Sequence, residues 1–86
     1  MNLPFEEKKS GSACIRRFSQ DLDSSELKWH QDEEDRTVIS LSETDWMFQR
    51  DNELPIKISG EIKIKANEWH RVIKGTGDLE VKVIKH

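Results

Sequence analysis

Eighty-six residues, 34% hydrophobic and 36% charged, leave room for one domain with a thin apolar core. A net charge of −3 without any dense Lys/Arg block argues against nucleic acid as a partner. No apolar run approaches the ~20 residues of a membrane helix, Met1 to Glu7 lacks the pattern of a signal peptide, and the single Cys14 excludes an internal disulfide; the expectation is a soluble, cytoplasmic chain with no membrane contact.

Residues 1–11 are polar, carry Pro4 and end in Ser10-Gly11, which reads as a flexible tail or an arm laid across a neighbour. From residue 12 to residue 86 the grain changes to short alternating runs divided by turn residues, the pattern of half-buried strands in a single β domain. Strands are expected over Ser12–Phe18, Glu26–His30, Arg36–Leu41, Trp46–Arg50, Ile56–Ile58, Ile62–Ile64, His70–Lys74 and Leu79–Ile84. A helical reading fails nearly everywhere; the exception is Asp21–Lys28, where Ser24 could cap a turn. About eight strands with breaks at this spacing predict an all-β barrel or sandwich. Low hydrophobic content, with apolar strand faces near Ile15/Phe18 and Val81/Val83, leads to the expectation of a homodimer.

Two stretches carry the polar chemistry. Trp29-His30-Gln31-Asp32-Glu33-Glu34-Asp35-Arg36 has a late counterpart in Trp69-His70-Arg71, which repeats Trp-His and adds a second arginine. His30 and Asp32 are two apart, so on an extended segment they share a face. Three readings stay open: metal ligation by His30, Asp32 and His70, a metal-free polar pocket for a small ligand, or a solvated rim with no site. Arg36 is either an anion clamp in that pocket or, favoured here, the ion-pair partner of Asp32 or Asp35. Gln49 shares a face with Met47 and, with Arg36 and Arg71, completes the candidate ligand-binding set. Trp29 and Trp69, one residue from each histidine, are assigned to the core rather than to a ligand wall. Arg16-Arg17 reads as an exposed strand face. The acidic run lacks the glycine and distant glutamate of an EF-hand, and nothing resembles a nucleophile elbow.

The pattern resembles a small cupin, a double-stranded β-helix barrel of the jelly-roll type. His30-Gln31-Asp32 stands where the family carries His-x-His, and Lys65-Ala66-Asn67-Glu68-Trp69-His70 resembles the second motif, with Asn67 in place of the turn glycine. Trp-His-x-Asp…Arg followed by Trp-His-Arg is also similar to short cupin-like proteins of tailed phages. The resemblance spans residues 26–86 and implies a divalent metal (Fe, Mn, Ni or Zn) or a small polar ligand in the barrel. Enzymes of that kind include isomerases, epimerases and dioxygenases; the alternative is a non-catalytic dimeric interaction module with a degenerate site. The chain departs from the family's three histidines and glutamate, because the position of that glutamate falls near Arg36, which has no lone pair to give. What is left is two histidines and one carboxylate, a set that can hold a metal with open positions. Imidazoles more than about 8 Å apart could not share one ion with ~2.1 Å bonds.

Overall fold

The computed structural model describes residues 3–86. Its eight strands are β1 (Glu6–Ser10), β2 (Ala13–Phe18), β3 (Arg36–Ser40), β4 (Met47–Arg50), β5 (Ile56–Lys57), β6 (Glu61–Ile64), β7 (His70–Ile73) and β8 (Leu79–Lys85). They form two antiparallel sheets, one ordered β1-β2-β8-β3-β6 and the other β5-β4-β7.

Alternation decides which side chains enter the space between the sheets. On β8, Leu79, Val81 and Val83 are buried while Glu80 is exposed, and β6 buries Ile62 and Ile64 between Glu61 and Lys63. Pairing places Val83 beside Cys14 and Val38, and Val38 beside Ile62, a row of apolar residues across four strands. Phe48 and Ile58 face it from the side of the smaller sheet. Trp46 closes one end with no exposed surface, and its indole N–H donates to Gly77 O at 3.0 Å. That bond removes the cost of burying a polar indole nitrogen. Cys14 is a buried free thiol of this core.

Several expectations are corrected by this arrangement. Glu6–Ser10 is no tail: it forms a hairpin with β2 through Gly11, whose φ of 62° suits a two-residue turn. Met1 and Asn2, also assigned to the tail, lie outside the described residues. Glu26–His30 is not a strand; Ser24–Glu26 is a short 3-10 turn capped by Asp23 rather than Ser24, and only His30 makes a β-bridge, to His70. Trp29 and Trp69 are 39% and 47% exposed, so neither belongs to the core. Arg16 faces inward, leaving only Arg17 of that pair exposed. Of the residues named for the apolar strand faces, Phe18, Val81 and Val83 are buried in the core and Ile15 is half-buried.

Candidate metal centre

The loop after the 3-10 turn is stitched to the turn before β7, and this brings the two Trp-His stretches together. His30 and His70 exchange both main-chain hydrogen bonds at 3.0 Å. Asn67 N donates to Asp32 O at 2.7 Å, the Gln31 side chain donates to Asn67 O at 2.9 Å, and Ala66 N donates to the Asp35 carboxylate at 2.8 Å. Asn67 makes the tight turn at φ 61°, the left-handed conformation that asparagine tolerates better than most residues.

His30 and His70 therefore lie with ring centroids 4.2 Å apart, and the candidate ligand atoms of His30, Asp32 and His70 all fall within 4.8 Å of one another. The ring spacing is well inside the bound of about 8 Å for imidazoles sharing one ion, and the spread of ligand atoms is close to the ~4.2 Å that two ~2.1 Å bonds span. Each Asp32 oxygen has a close neighbour: Oδ1 lies 3.2 Å from Arg36 Nη1 and Oδ2 lies 3.3 Å from His70 Nε2. Arg36 Nη2 also reaches Glu34 at 3.4 Å, so the ion-pair reading of Arg36 holds. Its Nε is buried and has no hydrogen-bond partner among the described residues.

The proton positions of the two rings follow from their partners. His30 Nδ1 is 3.1 Å from Lys28 O and His70 Nδ1 is 2.7 Å from Glu68 O. A carbonyl oxygen only accepts, so each Nδ1 carries a proton, and in a neutral ring the lone pair is then at Nε2. That is the tautomer of a metal-binding histidine whose other nitrogen is held by a second partner. For His70 the consequence is sharp. Burial, and secondarily the neighbouring His30, holds its pKa below the usual histidine value against the opposing pull of the Glu68 carbonyl and Asp32. The neutral ring then turns a bare Nε2 toward a carboxylate oxygen at 3.3 Å, two lone pairs facing each other. A cation between them resolves the clash, so the donor set fits a divalent metal. Two imidazoles and one carboxylate also fit one chemically, leaving coordination positions open.

The three groups stand at the edge of a cavity of about 260 Å³ between the sheets. Arg36 and Arg16 also line it, while most of the wall is aliphatic or aromatic. Arg16 is paired with Glu7 at 2.6 Å and stacked on Phe5 at 4.3 Å from the ring centre. Thus β1, missed from the sequence, supplies a counter-ion to the cavity wall. Gln49 and Arg71 are not in the cavity. They pair with each other at 2.9 Å on the other face of the smaller sheet, and Arg71 lies over the Trp29 ring. No signal in the sequence marks Arg16 as inward apart from its place between Cys14 and Phe18 in the alternation.

No family model and no curated protein matches the sequence. Solved structures do match. DMSP lyase DddQ from Ruegeria pomeroyi DSS-3 aligns with a TM-score of 0.72 at 13% identity, over 86% of this chain and 36% of that one. An RmlC-like cupin family protein with a double-stranded β-helix fold from Methanocaldococcus jannaschii gives 0.70 at 11%, over 94% and 76%. The cobalt(II) form of HppE gives 0.68 at 12%, over 95% and 52%. The chain spans little more than a third of the DMSP lyase chains it matches, 37% and 36%. These likenesses show the fold: the chain is a cupin-type double-stranded β-helix.

Proposed function

We propose that this protein binds one divalent metal ion through His30 Nε2, Asp32 Oδ2 and His70 Nε2, and receives a small polar ligand in the barrel. The observation that carries the reading is the 3.3 Å approach of His70 Nε2 to Asp32 Oδ2, with both Nδ1 atoms engaged by main-chain carbonyls. HppE, which shares the fold, is described with Fe(II) and with Co(II), and this supports a site for such an ion. The metal would supply Lewis acidity and open positions for a ligand. The chain's own part is to fix both imidazoles in the ligating tautomer, to hold Asp32 through Arg36, and to keep His70 dry.

The test is metal analysis of tag-free protein purified without chelator, followed by calorimetric titration with Fe(II), Mn(II), Ni(II) and Zn(II). One equivalent of metal is expected, lost in the His30→Ala/His70→Ala double variant while the β-sheet circular dichroism persists. A protein that neither carries nor takes up any of the four would overturn the reading.

A further inference from the structure

The cavity has room beyond the metal, and its lining specifies what would fill that room. Its volume of about 260 Å³ equals roughly nine water-sized volumes at ~30 Å³ each, enough for a short organic molecule. The wall is chemically divided. Val38, Phe48, Ile62, Val72 and Val81 are typical of its apolar part, and the His30–Asp32–His70 group with Arg36 is joined in its polar part by Arg16, Glu26 and Lys28.

Charge at the His30–Asp32–His70 edge defines the head of the ligand. Arg36 is matched by Glu34 at 3.4 Å, and Asp32 offers one negative charge, so a dication held there leaves one uncompensated positive charge. Of the other cations in the wall, Arg16 is already neutralised by Glu7, and the exposed Lys28 shares the wall with the acid Glu26. A positive charge at the mouth of an apolar cavity is costly unless an anion pairs with it. The buried Arg36 Nε, a donor without an acceptor among the described residues, adds a hydrogen-bond demand on the same side of the cavity.

We infer that the cavity selects small organic carboxylates with a short aliphatic chain, the carboxylate at the metal and Arg36 and the chain between the two sheets. This rests on the metal reading above. Carboxylates with no chain leave the apolar wall unfilled, and neutral analogues leave the positive charge unpaired.

The experiment uses wild-type protein loaded with Co(II), whose visible absorption reports the coordination shell. It is titrated with acetate, butanoate and hexanoate, and with hexanamide as the neutral counterpart. The expected result is a ligand-induced change in the Co(II) bands, with affinity rising about fourfold per added methylene from acetate to hexanoate. Hexanamide is expected to bind at least about tenfold more weakly than hexanoate. A Val72→Phe variant, which narrows the cavity from the wall of the smaller sheet, is expected to shift the preference toward butanoate with the Co(II) bands retained. If Co(II) gives no ligand-field bands, the metal reading falls and this inference falls with it. If the bands form but affinity is flat along the series, or hexanamide equals hexanoate, or Val72→Phe leaves the series unchanged, the metal reading stands and the ligand class is overturned.

Discussion

Arg36 holds one oxygen of Asp32 at 3.2 Å and thereby leaves the other aimed at His70. The arginine donates where a ligand would accept, so its contribution is orientation. The side chains of both residues are largely buried, 14% and 10% exposed, and this keeps the pair dry enough to hold its geometry.

The first prediction concerns that pair. Arg36→Met should free the Asp32 carboxylate to rotate and lower metal affinity about 10- to 100-fold, the usual effect of losing a partner behind a ligand. Calorimetric titration measures it, and Arg36→Lys should recover part of the affinity through a single donor. Unchanged affinity in Arg36→Met would reduce the residue to a stabilising ion pair.

Glu7 and Arg16 yield a prediction about acid stability. The Arg16 hydrogen bond, stronger than the opposing effect of burial, holds the Glu7 carboxyl below its usual value of 4.5. A carboxylate with a lowered folded pKa contributes stability that is complete above its unfolded value and is lost as pH falls through the folded one. The melting temperature should therefore drop below about pH 4.5, and Glu7→Gln should flatten that drop while lowering stability at neutral pH by about 1–2 kcal/mol. Asp45 and Asp78 are lowered in the same direction by their own hydrogen bonds, so the variant removes only part of the acid response.

Most of the fold is legible because β6 and β8 alternate apolar and polar residues and the other strands after β1 are short runs carrying apolar residues between turn residues. β1 shows neither pattern: Glu6-Glu7-Lys8-Lys9-Ser10 pairs through its backbone at a sheet edge, and an edge strand needs little apolar content to do so. The candidate site was legible through the likeness of His30-Gln31-Asp32 and of Asn67-Glu68-Trp69-His70 to the cupin motifs. The tryptophans were misplaced for a geometric reason. In a barrel the cavity and the core are the same interior, so a residue next to an inward histidine faces solvent. Trp29 and Trp69 follow that rule, and so do Gln49 and Arg71, which neighbour the inward Phe48 and His70. Only Trp46, beside no site residue, is core.

A third prediction tests the closed end of the barrel. A Cβ added at Gly75 would lie 2.7 Å from Trp46 N and 2.8 Å from Asp45 C. It would also crowd the Asp45 carboxylate, which accepts from Thr76 N at 2.7 Å and from the Thr76 hydroxyl at 2.8 Å. Both close neighbours are backbone atoms, so relief requires the chain to shift. Gly75→Ala should cost about 1–3 kcal/mol in urea denaturation. Gly77→Ala, with open space around its Cβ, should cost only the strain of its positive φ.

The last prediction is the pH dependence of the site, where two effects share one direction. Without metal, His70 has a folded pKa below the ordinary value of 6.5 because burial penalises its charged form. The unfolded chain then binds the proton first, so stability is complete above about pH 6.5 and declines as pH falls toward the folded value. With metal, the proton competes for the same Nε2 lone pairs, and affinity must fall over the acid side of the histidine range. The two effects separate experimentally. Metal-free His70→Gln should lose the decline in melting temperature that sets in as pH falls below about 6.5, leaving only the carboxylate transitions. Wild-type protein titrated with Zn(II) from about pH 8 to about pH 5 should release one or more protons per metal bound at the acid end and fewer at the alkaline end, measured by calorimetry in buffers of different ionisation enthalpy. Zn(II) affinity that stays constant across that range would show that the imidazoles are not its ligands.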